Sequence, residues 1–495
     1  MATSSRQIAE AEVATAGLKP RLTLLDATML VMGSMIGSGI FIVSADMARG
    51  MGSAGGLLLV WVVTGVITIF GALSYGEMAA AMPHAGGQYV FLREAFGSIW
   101  GFLYGWTLFV VIQTGTIAAV AVAFARFLQV FFPSVTPDVF LSLGHIPMPT
   151  MQEGHVIISP IQLGLSFQRV VAIGVVLVLT GVNIMGVREA KWIQNLFTIT
   201  KTAALLALIF LGIAIGRNAV ALAHNFSAPW TGMPTGTALA MAFGAAAVGS
   251  LFAADSWNNV TFAAAEVHHP RRNLPIALAL GAGSVSLIYV LANVAYLFTL
   301  PLPEIQHAAQ DRVGTLLAER VLGGVGLYLM AGAILVSTFG CINGLVLAGA
   351  RVYYSMARDR LFFRGAARLS PRSAVPARAL VFQAVWTCAL TLSGTYSQLL
   401  DYVIFANLLF YALTAAALFR LRATRPDMER PYRAFGYPVL PALYLAATAA
   451  LAVILLFATP AYAAAALVLV LIGVPVYFLW RRSAAAGPAP AAPAP

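Results

Sequence analysis

Twelve apolar runs, most longer than the roughly 18–20 residues a helix needs to cross a bilayer, divide this 495-residue chain. They fall at about 24–47, 57–81, 99–131, 168–186, 194–216, 238–263, 274–299, 323–357, 376–394, 398–421, 437–458 and 461–480. Hydrocarbon offers no partner to free N–H and C=O groups, so a chain that crosses it this often crosses as helices. The runs predict an all-α membrane protein with twelve transmembrane helices.

Charge agrees with that reading. Charged residues make up 9% of the chain and hydrophobic ones 60%, too little charge to cover a soluble domain of this size. The formal charge of +11 reflects placement along the chain, not a nucleic-acid patch. With the N-terminus inside, alternate loops put about 22 of the 29 Lys and Arg residues on the cytoplasmic side, most densely at 351–378 and 420–433. Roughly six fall outside, and Lys201 lies within a run. By the positive-inside rule both termini are cytoplasmic. The expected location is a bacterial-type plasma (inner) membrane, with the lipid bilayer and not nucleic acid as partner.

The ends and cysteines add little. Residues 1–20 carry no apolar h-region, so no cleaved leader is expected and 1–23 reads as a cytoplasmic tail. The Ala/Pro-rich segment 483–495 is expected to be disordered. Cys341 and Cys388 both fall inside apolar runs, which gives neither a disulfide framework nor metal spacing. The long outer loop at about 132–167 has no cysteine, so no disulfide-linked partner subunit is expected through it. No cofactor is called for.

Two of the runs are interrupted. Met35-Ile36-Gly37-Ser38-Gly39-Ile40-Phe41 breaks the first, and Gly249 to Asn258 breaks the sixth about 215 residues later. Such breaks survive in a membrane only where protein or a watery cavity covers them, and a matched pair marks a transporter binding site. A broken helix presents N–H groups that attract a carboxylate and carbonyls that attract an ammonium. Two facing breaks therefore make a site for a zwitterion from backbone alone. Spans one to five (24–216) and six to ten (238–421) superpose in opposite orientation, leaving 437–480 as spans eleven and twelve. Val90 to Phe96 reads as a short amphipathic helix along the inner surface. The outer loops at 217–237 and 301–322 read as caps over the transport path.

The first break, Leu251-Phe252-Ala253-Ala254-Asp255-Ser256-Trp257-Asn258-Asn259 and Glu266 to Pro275 together resemble the amino acid–polyamine–organocation (APC) superfamily. Within it the chain is most similar to the L-type amino acid transporter (LAT) family, as a bacterial light-subunit-like exchanger. Phe339 to Gly344 and Arg425 to Tyr432 agree. The resemblance implies a five-plus-five inverted-repeat (LeuT-like) fold with discontinuous helices one and six, and alternating access. It implies sodium-independent transport of L-amino acids, often by one-for-one exchange. Carried over, the substrate carboxylate meets the N–H groups of Ser38 and Gly39, beside Gly37. The α-amino group meets the carbonyls of Met35, Phe252 and Asp255, beside Ala253. Phe252 resembles an outer aromatic gate, and Tyr289 stands where related exchangers place a tyrosine.

Lys201, about seven residues into the fifth run, is costly at that depth and functional by default. The resemblance places its ammonium where sodium-coupled relatives hold a cation, bridging spans one, five and eight; snorkelling to the inner interface is the plainer alternative. Asp255 either shapes the field of a hydrated cavity or helps hold a substrate ammonium. Glu77, and Glu266 with Arg271 and Arg272, form inner-gate ion pairs or anchor the interface. Trp257, Asn258 and Asn407 line the path or pack helices. Ala254, Ser256, Gln88 and Ala265 depart from the family pattern, at positions where an aromatic residue, a glycine, a glutamate and an acid are frequent.

The expected function is sodium-independent exchange of neutral amino acids. Proton-coupled uptake and a cationic amino acid or polyamine carrier stand as alternatives. No nucleophile, metal cluster or acid–base pair recurs inside the runs as an enzyme would need. Breaks paired within one chain also differ from the carbonyl or charge rings of a channel.

Overall fold

The computed structural model describes residues 18–152, 155–393 and 396–485, so the two tails expected from the sequence fall mostly outside the described residues. The first apolar run becomes two helices, α1 (Leu24–Met35) and α2 (Gly39–Met51), bent by 41°. A reciprocal cap opens α1: Thr23 Oγ accepts the Asp26 N–H at 3.2 Å, and Asp26 Oδ2 accepts the Thr23 N–H at 2.9 Å. The helix stops where Ile36 turns extended, and α2 ends at Gly52, whose φ of +63° suits a residue without Cβ.

Next come α3 (Ala54–Ala81), the short α4 (Gln88–Phe96) and α5 (Ser98–Leu128). Two helices follow a hairpin: α6 (Phe167–Met185) and α7 (Val187–Ile215). The sixth run yields α8 (Gly236–Ala253), a turn, and one turn of helix, α9 (Asn259–Phe262). The remaining long helices are α10 (Pro270–Thr299), α11 (Gly324–Arg358), α12 (Ala377–Thr391), α13 (Tyr396–Thr424), α14 (Val439–Ala458) and α15 (Pro460–Ala485), with short helices Ala219–Phe226, Leu302–Gln306 and Val313–Leu322 in the connections.

Among the described residues ten helices are long and apolar enough to cross a bilayer, and the bent α1–α2 pair makes eleven. The molecule is an integral membrane protein built from helices. The ninth expected span falls short: α12 has 15 residues, about 22 Å at 1.5 Å each against a hydrocarbon core of about 30 Å. On helix length the count therefore stops below twelve. The fifth span differs too, because α7 begins at Val187 rather than near 194. Lys201 is then 14 residues into its helix and 1% exposed, its ammonium bonded to backbone carbonyls of the first and eighth spans, which removes snorkelling as an account of it.

Two local readings change. The loop at 132–167 contains an antiparallel hairpin, β1 (Val139–Gln152) with β2 (His155–Ser166), from Val139 opposite Ser166 to Gln152 opposite His155. The all-α expectation thus holds for the spans and not for this loop, where the β-branched run Val156-Ile157-Ile158 favours a strand. In α4, residues Gln88 to Leu92 are buried against α5 and α13, so the helix is built into the bundle instead of lying on its surface. Elsewhere α2 packs along α8, α3 along α10, α5 along α11 and α6 along α12. These contacts bring the two interrupted segments together.

Candidate functional site

The two breaks touch. A Cβ added to Gly39 would lie 2.7 Å from Ala253 Cβ and 2.9 Å from its Cα, so only glycine lets α2 start against the end of α8. Past Ala253 the chain folds back: the Ala254 N–H completes the helix on Ser250 O at 2.9 Å, and the Asp255 N–H turns to Phe252 O at 3.2 Å. Ser256 then adopts φ +69°, a left-handed conformation that favours glycine. Tyr289 of α10 ties the two breaks to each other: its hydroxyl lies 2.9 Å from Met35 O and 3.1 Å from Ala253 O. Ser38 is fully buried, and Phe252 and Asp255 are each 6% exposed, so this conformation shuts the site from solvent.

The carbonyl side of the first break is fully engaged. Lys201 donates to Gly33 O and Ile36 O, both at 2.6 Å, and to Ser337 O at 3.3 Å. An ammonium has three protons, and here each has an acceptor. Cys341 Sγ meets Ser34 O at 3.1 Å, and Ser337 Oγ meets Ile36 O and Gly37 O at 3.2 and 3.1 Å. With Tyr289 on Met35, each carbonyl from Gly33 to Gly37 accepts from a side chain of α7, α10 or α11. On the N–H side, Ser38 is the N-cap of α2, and its hydroxyl caps no N–H of that helix.

Asp255 turns the other way, toward α13. Its carboxylate accepts from Tyr411 Oη at 2.5 Å, Asn407 Nδ2 at 3.0 Å and Ser256 Oγ at 3.3 Å. Asp26 faces Lys191, Glu77 faces Arg422 and Arg430, and Glu266 faces Arg351. Among the described residues Asp255 is a buried acid with no such basic partner. A cavity of about 20 Å³, room for one water-sized group, sits beside it between Thr68, Trp257, Asn407 and Thr448. Trp257 packs between Tyr75 and Tyr411, at centroid distances of 4.7 and 5.7 Å. Asn258 donates to Gln88 Oε1 at 2.8 Å, and Gln88 donates on to Thr414 Oγ at 2.8 Å, linking the sixth-span break to α4 and α13.

Glu77, Glu266 and Arg271 pair, though not as the sequence suggested. Glu266 meets Arg351 of α11, Nε to Oε2 at 2.7 Å and Nη2 to Oε1 at 3.2 Å, with both side chains 1% exposed. Arg271 bonds instead to Glu429, and both are exposed. Neighbouring backbone holds Glu266 in place: the Arg21 and Leu22 N–H groups donate to its carbonyl at 2.7 and 2.8 Å, and His268 N–H returns to Leu22 O at 2.8 Å. Glu77 takes Arg422, Arg430 and the Ala434 N–H. At the other end Arg49 joins α2 to Asp311 at 2.9 Å, and the Gly55 N–H meets Pro229 O at 2.7 Å. The loops at 217–237 and 301–322 thus both lie over the α2–α3 corner.

The comparisons with known proteins fall on nearly the whole of this architecture. The amino acid permease family profile matches residues 22–479, from just before α1 into α15. This chain belongs to the amino acid permease family. The permease is 32% identical over 485 residues to mouse (Mus musculus) large neutral amino acids transporter small subunit 2, covering 95% of this chain and 83% of that one. It is 31% identical over 471 residues to mouse Asc-type amino acid transporter 1, covering 94% and 82%. Its identity to mouse b(0,+)-type amino acid transporter 1 is 28% over 424 residues, covering 85% and 80%.

Within this permease several site neighbours carried no signal of their own. Ser337 and Cys341, four residues apart on α11, reach the first break together, as i and i+4 positions do. Arg351 sat in a basic run and read only as topology. Asn343, in a stretch that supported the resemblance, bonds Asn183 at 3.0 Å and Gln194 at 3.1 Å, a buried polar chain joining three helices.

Proposed function

We propose that this permease carries L-amino acids across a bacterial-type inner membrane, exchanging neutral substrates without sodium by alternating access. The reading rests on one observation: the two helix breaks meet face to face while Lys201 occupies the carbonyl side of the first. The substrate carboxylate sits at the start of α2, at Ser38 and Gly39, where the helix dipole favours an anion. Its ammonium takes the carbonyls of Met35, Phe252 and Asp255, displacing the Tyr289 hydroxyl from Met35. Gly37 and Ala253 leave room for the main-chain approach, and Phe252 covers the ligand from outside. A fixed ammonium at Lys201 does what a bound cation would do, holding the first break in shape, so sodium is not required.

Alternating access follows from a twelve-span, five-plus-five inverted (LeuT-like) arrangement, with 24–216 and 238–421 as the repeats and 437–480 appended. Helix packing supports it: spans one to four each contact the span five places later. The termini face the cytoplasm, and the cysteines leave no disulfide to a companion subunit, Cys341 being buried and Cys388 half-buried. The names of the three relatives agree with amino acid transport. Counterflow tests the proposal. Labelled substrate should leave loaded vesicles rapidly only when amino acid is present outside, with or without sodium. Equal efflux into empty buffer contradicts exchange.

Asp255 favours a second reading, because a buried acid without a base suits a substrate or proton that brings positive charge. Asp255→Asn separates the two. Loss of cationic-substrate binding, or of a pH-driven uptake, supports the second; unchanged selectivity supports neutral exchange.

A further inference from the structure

The seam between α3 and α10 opens at its basic end into a groove of about 380 Å³. Arg271 and Arg272, from the first turn of α10, stand at its mouth, and Leu73, Ile276 and Ala279 line it further in. Ile276 and Ala279 lie six and nine residues into α10, roughly 9 and 13 Å from its start. Leu73 lies eight residues before the end of α3, roughly 12 Å from it, so both walls turn apolar at the same depth. The back wall is the Tyr432 ring, wedged so closely that a Cβ on Gly76 would come within 3.0 Å of it and 3.3 Å of Pro275.

The mouth keeps its positive charge. Arg271 has one acid partner, Glu429 at 2.8 Å, with side chains 57% and 69% exposed, a pairing that solvent largely screens. Arg272 is exposed and has no acid partner among the described residues. Two basic groups over an apolar slot at acyl-chain depth match one chemistry, a charged head attached to a hydrocarbon tail.

We infer that this groove binds an anionic phospholipid, its phosphate between Arg271 and Arg272 and one acyl chain along Leu73, Ile276 and Ala279. The inference is independent of the substrate site. It rests on the inner-side placement of these arginines, where the leaflet's negative surface potential concentrates such lipids. Bound lipid joins α3, α10 and the segment around Tyr432, which Glu77 already straps to α3 through Arg430 and the Ala434 N–H.

Native mass spectrometry of the purified full-length protein, titrated with phosphatidylglycerol or phosphatidylcholine, tests it. The wild type should retain phosphatidylglycerol preferentially. One arginine near the surface contributes ~1 kcal/mol, so Arg272→Gln should weaken retention about five-fold and Arg271→Gln with Arg272→Gln roughly thirty-fold. Arg368→Gln with Arg372→Gln, exposed basic residues elsewhere on that side, should leave retention unchanged. Equal retention of the two lipids, or an equal loss in the control pair, overturns the site. Inorganic phosphate that competes the lipid off at equal concentration overturns it as a lipid site.

Discussion

Lys201 donates to the Ile36 carbonyl at 2.6 Å, at the residue where α1 ends and the first break begins. That bond joins the fifth span to the most bent point of the first. Its two companions, to Gly33 and Ser337, spread the ammonium over three spans. A helix end buried without partners is costly, so the break has its present shape because the cation is there.

Lys201→Ala removes three donors at once and leaves buried carbonyls unmet. At about 1–3 kcal/mol for each unsatisfied group, the variant should lose about 3 kcal/mol or more of stability. Its exchange rate should fall at least about ten-fold. Thermal unfolding and vesicle counterflow measure the two separately, and transport at the wild-type rate removes the basis for ion independence.

Gly39→Ala and Gly37→Ala should differ. The first puts a methyl 2.7 Å from Ala253 Cβ, inside any tolerable contact, and should abolish substrate binding by forcing the breaks apart. The second meets only Cys341 Sγ at 3.2 Å and should weaken binding a few-fold. Adding Cys341→Ala should restore Gly37→Ala and leave Gly39→Ala unchanged. Equal defects in the two single variants contradict the packing described.

The Glu266–Arg351 pair is buried beside backbone bonds that tie Glu266 to Leu22. Either Glu266→Leu or Arg351→Met alone strands a buried charge, at a cost of about 3–5 kcal/mol. The double change to Leu and Met should cost less than either single one, since replacing both partners leaves no charge unpaired. A double-mutant cycle in denaturant or heat reads the difference; additive losses contradict a coupled pair.

Acid sensitivity should appear at α4. Partial burial of Glu94 opposes its charge, but hydrogen bonds from Arg425 and Arg93 outweigh this and hold its carboxyl below the ordinary value of 4.5. A depressed folded pKa gives stability that is present above the unfolded pKa and lost as pH falls through the folded one. Wild type and Glu94→Gln should therefore run parallel at neutral pH and converge as pH drops below about 4.5. A constant gap down to pH 3 contradicts the contribution.

The spans were legible because hydrocarbon allows few solutions, and both breaks because glycines interrupt apolar runs at matched places. That the breaks face each other was read from their matched places, but the contact of Gly39 with Ala253 was not. Lys201 stood out by cost, yet its depth was misjudged, since the polar start of α7, from Val187 to Gln194, reads as a loop until it is seen to be helical. The partner of Glu266 was hidden because pairing across 85 residues leaves no local spacing, and nearby Arg271 and Arg272 offered a false choice. The hairpin escaped because the argument from apolar runs concerns only what crosses the membrane.

The central claim is that backbone at the two breaks grips both ends of a zwitterion. Binding of leucine, leucinamide and N-acetylleucine to the purified protein, by calorimetry in sodium-free buffer, tests it most directly. Leucinamide lacks the carboxylate proposed to sit at the start of α2, and N-acetylleucine lacks the ammonium proposed to meet the carbonyls. Charged hydrogen bonds are each worth about 1.5–3 kcal/mol, so each analogue should bind at least about ten-fold more weakly than leucine. Binding of either analogue as tight as that of leucine contradicts the account.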